Sequence, residues 1–406
     1  MARTSAGLPA GVRLCDFISL GVVARTFPAD LVRSVLDEAG VAGRRTRDLP
    51  PSVVVYYAIA LALYMQVSYG EVLRCLLEGV RWLFGPGVRV RVTGKSGISQ
   101  ARARVGSRPL ELLYERATGP VATEATRGAW FHSLRMVSLD GSTLDLADTK
   151  ENEEAFGRPE ASSGRSAFPK VRFVALVECG THVLFGARMG PYATSELRLA
   201  AEVVPKLRAG QLCLADRGLF SFEMWTLARS TGAELVWRVT VGEGGRTFPV
   251  LGRLPDGSYL SVLYRRPPSR RRGEEGIPVR VVDYEVKGSD ERYRLLTTLL
   301  APEEAPADEL ARLYHERWEI ETSLDEFKTH LRGARVVLRS KTPELVRQEF
   351  YGLMLAHYAV RTLMHEAALW ADRDPDTVSF THTLRVVRRT LPRFVVLSPS
   401  EAETAP

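Results

Sequence analysis

The stretch Leu134–Leu146, LRMVSLDGSTLDL, decides how the rest of the chain is read. Upstream of it the pattern is helical. From Leu134 onward, apolar and β-branched residues gather into short runs punctuated by glycine and polar residues, which is strand texture. Asp140 lies within this first strand, beside Gly141, which marks a kink or turn. Arg172–Cys179 (RFVALVEC) and His182–Met189 (HVLFGARM), split by Gly180-Thr181, read as a hairpin. Thr194–Leu207 is expected to be helical, Gln211–Asp216 (QLCLAD) a short apolar strand ending in a carboxylate, Phe220–Ser230 a helix and Glu234–Val239 (ELVWRV) a strand. The polar stretch Thr149–Ser166 reads as an exposed loop.

Residues Thr240–Leu300 differ: they carry many Gly, Pro and Arg residues and short alternating runs such as Val279–Val286, and read as an inserted β-rich subdomain. A long helix is expected over Ala307–Leu331 and further helices over Pro343–Leu369. Without the insertion the order is β-β-β-α-β-α-β-α. That succession suits an α/β fold with a mixed five-stranded sheet flanked by helices, as in ribonuclease-H-like folds. Open α/β sheets place ligands beyond the carboxyl ends of their strands, which puts Asp216 in a site.

The N-terminal part reads as helices: Phe27–Ala39, Pro51–Val67, Tyr69–Phe84, and one starting at Ser96. Arg102, Arg104 and Arg108 fall close together there, as in a helix-turn-helix on DNA or a solvated basic helix end. The division that follows is a helical DNA-binding domain over 1–128, a catalytic domain over 129–239 and 301–335, the insertion over 240–300, and a helical C-terminal region over 336–406.

Composition narrows the class. With 406 residues, two or three domains are expected; 45% hydrophobic and 25% charged residues are those of a globular protein. The formal charge of +7 is compatible with nucleic acid without requiring it. Cys15, Cys75, Cys179 and Cys213 form no CxxC pair, so zinc and disulfides are not expected and a reducing cytoplasm fits. No signal peptide is evident, and the apolar run Val53–Val67 is too short to span a membrane, which reads as a buried helix.

The helix around Glu321 carries the chemistry. At about 100° per residue, Leu313, Ile320, Leu324, Phe327 and Leu331 form one stripe, and Tyr314, Arg317, Glu321 and Lys328 a second stripe beside it. Such a polar stripe lies at the edge of a buried contact, held and partly shielded, with Glu319 and Glu326 toward solvent. The plain alternative is a surface ion pair between Arg317 and Glu321. A carboxylate flanked by cations and a phenol also suits a phosphodiester: the carboxylate for metal, the cations and hydroxyl for phosphate oxygens.

The spacing Tyr314-x2-Arg317-x3-Glu321-x6-Lys328 resembles the YREK signature of bacterial insertion-sequence transposases, the group named after insertion sequence four. Asp140 in VSLDGSTLDL and Asp216 in LADRGLFS resemble that family's first and second catalytic Asp motifs, and Ser195-Glu196-Leu197 and Phe168–Arg172 its connecting segments. The resemblance implies a DDE transposase in which Asp140, Asp216 and Glu321 hold two Mg²⁺ or Mn²⁺ ions about 3.5–4 Å apart. It further implies cleavage of double-stranded DNA at the element's terminal inverted repeats, strand transfer into target DNA, and a homodimer on DNA. Oxygen ligands without Cys or His suit those metals.

Asp145 lies an odd number of residues from Asp140 and faces the other side of an uninterrupted strand, while Asp148 starts the polar stretch. His315 and His330 read as surface residues. Arg217 is a phosphate contact or a helix cap; Arg238 and the run Arg270-Arg271-Arg272 are further candidate DNA contacts. The insertion holds no tryptophan, so Tyr259, Tyr264, Tyr284 and Tyr293 are the residues available to stack a flipped base in a hairpin intermediate. A metal-dependent nuclease that does not join strands, and a non-catalytic DNA-binding derivative, are the alternatives.

Overall fold

The computed structural model describes residues 20–42, 49–65, 67–73, 76, 94–161, 164–241, 246–265, 275–286, 292–316, 318–332 and 337–389. Its centre is a mixed sheet. Strand β1 covers Trp130–Phe131, β2 Leu134–Asp145, β5 Lys170–Glu178, β6 Leu184–Pro191, β7 Gln211–Ala215 and β8 Glu234–Arg238. They lie in the order β6-β5-β2-β7-β8, with β1 paired to β2. The β5 and β6 neighbours are antiparallel, and β2, β7 and β8 run parallel. This is the ribonuclease-H-like arrangement expected from the sequence: three antiparallel strands, then two parallel ones delivered by helical crossovers.

Two expectations change. The polar stretch after β2 is not one loop: it contains the helix Lys150–Phe156, whose N-cap Thr149 accepts from the Asn152 amide, and a two-stranded ladder of β3 (Glu160–Ala161) and β4 (Gly164–Arg165). The insertion strands β9 (Gly252–Arg253), β10 (Tyr259–Leu263), β11 (Ile277–Glu285) and β12 (Arg292–Thr297) do not form a separate sheet. They continue the central one beyond β8 in the order β12-β11-β10-β9. The reason is an edge: β8 presents unpaired backbone groups, and β12 pairs antiparallel to it through Leu295↔Arg238.

Helices cover both faces. Val137, Leu139, Cys213, Ala215, Leu235 and Trp237 face one core, under the helices Glu196–Val203 and Phe222–Arg229. Met136, Leu212, Leu214, Val236 and Leu295 face the other, under Leu310, Leu313 and Tyr314 of the helix Ala307–Glu316. Downstream of that helix, Trp318–Asp325 is α-helical and Glu326–Leu331 is a π-helical stretch, so the sequence's regular 3.6-residue period does not hold to Leu331.

The N- and C-terminal helices share one core rather than two. The helix Pro51–Leu63 is apolar on every side and buried from Val53 to Leu63, packed against the 28-residue helix Pro343–Trp370. Arg102 is buried in that contact, donating to Gln348 Oε1 (2.7 Å) and Ser340 Oγ (3.0 Å). It therefore serves packing and is not a base-reading residue, while Arg108 pairs with Glu111 at 2.8 Å. Among the described residues no helix is long and apolar enough to cross a membrane.

Where the two long helices cross, Gly352 allows backbone contact: a Cβ there would sit 2.7 Å from the Ala58 carbonyl oxygen. Gly352→Ala is expected to destabilise the protein by about 1–3 kcal/mol, read from the shift of a urea unfolding midpoint. Two buried imidazoles predict a pH dependence. His357 is held well below the ordinary imidazole range by burial, then by Arg361 and His182; burial lowers His365 too. Both stay neutral in the fold while the unfolded chain takes up protons below about pH 6.5. Their contribution is therefore present above that pH and lost as pH falls. Urea unfolding at a series of pH values should show stability declining from about pH 6.5 downward.

Candidate active site

The site follows from register. The last paired row across the three parallel strands is Leu139↔Ala215↔Trp237. All three point into the core under Glu196–Val203. Successive strand residues alternate faces, so the next residue of each strand, Asp140, Asp216 and Arg238, turns to the opposite face. That is the face covered by the helices carrying Tyr314 and Glu321. Two carboxylates and a guanidinium thus follow the last row of parallel pairing, on one face of the sheet, although they are far apart in sequence.

Gly141 is no turn: β2 pairs with β5 without interruption through Asp140↔Ala175 and Gly141↔Val174. The glycine instead makes room. A Cβ at 141 would meet the Phe173 carbonyl oxygen at 3.1 Å and Glu196 Cγ at 3.2 Å. Glu196 pairs with Arg172 (3.0 Å), whose guanidinium stacks over Tyr192, so the segment around Glu196 braces the strand from the far side of the sheet. Asp140 Oδ1 accepts from the Gly141 amide at 2.8 Å.

The polar residues of the helical segment take unlike positions. Tyr314 is buried, 4% exposed, and its hydroxyl points at Asp216 Oδ1 (3.4 Å) and the Ala215 carbonyl (3.5 Å). It is therefore directed at the carboxylate row, not outward to a phosphate. Glu321 is exposed rather than shielded, because the buried side of Trp318–Asp325 is taken by Ser323 and Leu324. Lys328 is half-buried and donates to Ser142 Oγ at 2.9 Å, two residues from Asp140 and on the same face of β2. Arg317 and Arg270-Arg271-Arg272 lie outside the described residues. Among the described residues no three His, Cys, Asp or Glu side chains form a closed metal-holding group. The register sets Asp140 and Asp216 on neighbouring strands one residue past their last pair, and Glu321 lies on a helix that contacts β2.

The nearby alternatives are occupied elsewhere. Asp145 pairs with Lys170 at 3.2 Å, and Asp148 with Arg158. His330 lies 3.5 Å from Asp325. His315 is not a plain surface residue: its ring packs against Tyr284 and Tyr293, which stack on each other at 5.2 Å. Arg238 lies over the Tyr293 ring, 4.4 Å from its centroid. Arg217 is exposed in the short turn after Asp216. Ser142 escaped the sequence reading, although its even spacing from Asp140 was the available signal. Glu326 was read as facing solvent and is buried at 7% exposure, because Arg361 of the helix Pro343–Trp370 pairs with it.

Residues 17–115 match the insertion element 4 transposase N-terminal family, and residues 132–359 the transposase DDE domain. The chain belongs to the insertion sequence 4 family of DDE transposases. It is 29% identical over 385 residues to the transposase InsG for insertion sequence element IS4 of Escherichia coli K12, covering 91% of this chain and 82% of that one. It is 26% identical over 220 residues to the putative transposase InsZ of the same organism, covering 54% and 71%. Among solved structures it is similar to the piggyBac transposase synaptic complex with hairpin DNA, at a TM-score of 0.48 and 11% identity, covering 96% of this chain and 84% of that one.

For a member of this family, Lys328 beside the carboxylate row is a phosphate contact to test. Lys328→Met should weaken duplex binding and flatten the slope of log affinity against log salt by about 0.9. Fluorescence anisotropy across a salt titration measures it; an unchanged slope would place the ammonium away from the phosphates.

Proposed function

We propose that this transposase cleaves DNA at the ends of its element and joins them to target DNA, using Asp140, Asp216 and Glu321 as the metal-holding carboxylates. The observation that carries the reading is the row Asp140–Asp216, one residue past the last parallel pair of β2 and β7, on the face turned toward the helix that bears Glu321. The donor set fits hard cations. It is all oxygen, and Cys213, the nearest thiol in β7, faces the opposite core. Two Mg²⁺ or Mn²⁺ ions bound there would supply an activated oxygen nucleophile and charge stabilisation for the leaving 3′-oxygen.

The chain's own groups do the rest. The Tyr314 hydroxyl fixes the rotamer of Asp216 through its contact with Oδ1. Lys328, laid against Ser142, offers its ammonium to a non-bridging phosphate oxygen next to Asp140. Arg238 is held over the Tyr293 ring, which restrains its fork beside Asp216 for a phosphate. Arg217, Arg317 of the family motif and, by their charge alone, Arg270, Arg271 and Arg272 are further candidate phosphate contacts. Joining two element ends requires two copies of the chain on DNA, and a bacterial cytoplasm is the setting. The proposed division is a DNA-binding helical part over 1–128, a catalytic part over 129–239 and 301–335 carrying the 240–300 insertion, and a helical remainder.

Glu321→Gln tests the reading. It should abolish Mg²⁺-dependent strand cleavage while leaving binding of end DNA intact; undiminished cleavage would remove Glu321 from the chemistry. Labelled precleaved ends incubated with a plasmid then separate the two enzyme classes. Joined product is expected, and its absence with cleavage retained would indicate a nuclease.

A further inference from the structure

We propose that Glu326 and Arg361 are positioning residues for the active site: their buried ion pair fixes the π-helical turn that follows Glu321, and with it the aim of Glu321 and Lys328. Both side chains are nearly inaccessible, at 7% and 2% exposure. Arg361 Nε donates to Glu326 Oε2 at 2.8 Å, and its Nη2 donates to both carboxylate oxygens. The same Nη2 lies 2.6 Å from His182 Nδ1, and His182 Nε2 lies 3.0 Å from Asp376 Oδ1. A guanidinium only donates, so Nδ1 accepts from Arg361. His182 holds a left-handed backbone at φ +59, uncommon for a residue with a side chain.

One pair therefore ties three elements together: the π-helical turn, the helix Pro343–Trp370 and the connection between β5 and β6. Stability alone accounts poorly for it, since removing two charges from water costs nearly as much as their attraction returns, and apolar residues fill such sites as well. A requirement for one fixed geometry accounts for it better. A π-helical turn holds about one residue more than an α-helical one, so where the turn falls sets the rotation of the side chains on either side. Glu326 is its first residue, five after Glu321 and two before Lys328. Phe327, between them, packs on Phe173 of β5 at 5.6 Å between ring centroids, which fixes depth but not rotation. The carboxylate–guanidinium fork, planar and two-pronged, fixes rotation.

This inference rests on the reading of Glu321 as a metal ligand, and the experiment separates the two. The parent, Glu321→Gln, Glu326→Gln and the double variant Glu326→Met/Arg361→Met are compared by thermal melting and by Mn²⁺ titration followed by electron paramagnetic resonance, each bound to duplex carrying the element's end. The double variant should melt cooperatively near the parent and bind Mn²⁺ about tenfold or more weakly, with Glu326→Gln intermediate, and end-DNA binding should fall in both by no more than in Lys328→Met. Mn²⁺ affinity within about twofold of the parent, in whichever of these two variants melts cooperatively, would overturn the positioning role. Undiminished Mn²⁺ binding by Glu321→Gln would instead remove the metal reading, and the positioning role with it.

Discussion

Everything at this site depends on strand alternation across a fixed parallel register. Because Leu139, Ala215 and Trp237 are paired and point one way, Asp140, Asp216 and Arg238 must point the other. A slip of one residue in β7 would send Asp216 into the apolar core under Glu196–Val203 and break the row. The register is secured by burial on both faces of β7, all five of whose residues are buried. The sheet core is therefore also the device that holds two like charges side by side.

The second requirement is a helical arm held at both ends. Leu310, Leu313 and Tyr314 anchor it over the parallel strands. Leu324, Phe327 and Leu331 anchor it in the core that joins the N- and C-terminal helices. Each such side chain contributes about 1.5–3 kcal/mol of burial. Glu321 lies between the two anchors on the exposed side, which keeps it accessible to DNA while its backbone is held. The helical core is thus part of the site's framework, not a detached module. Arg102, buried against Gln348, ties the N-terminal segment to the helix that also supplies Arg361.

Much of this was legible in the sequence. The short apolar run ending in Asp216 gave the succession of strands and helices, and parity along the first strand separated Asp145 from Asp140. What stayed hidden involves contacts between distant segments. A glutamate five residues past Glu321 looks solvated until Arg361 packs against it, and nothing local in residues 326–331 announces a π-helical turn. Gly141 looked like a turn because a glycine in a strand has two causes, bending or close approach, and only the neighbour Glu196 distinguishes them. The insertion looked self-contained because pairing of β12 to β8 is a long-range choice of edge. Arg102 read as either a DNA contact or a solvated helix end, and neither reading anticipated its burial, because basic clusters read alike whether solvated or buried.

The central claim, that Asp216 is a metal-holding carboxylate in register with Asp140, is tested most directly by changing its chemistry without removing a ligand. In Asp216→Cys the hard oxygen donor becomes a soft thiolate, which disfavours Mg²⁺ more than Mn²⁺. End cleavage measured in each metal should then be lost in Mg²⁺ and recovered in part in Mn²⁺. Cleavage in Mg²⁺ equal to that of the parent would contradict the account.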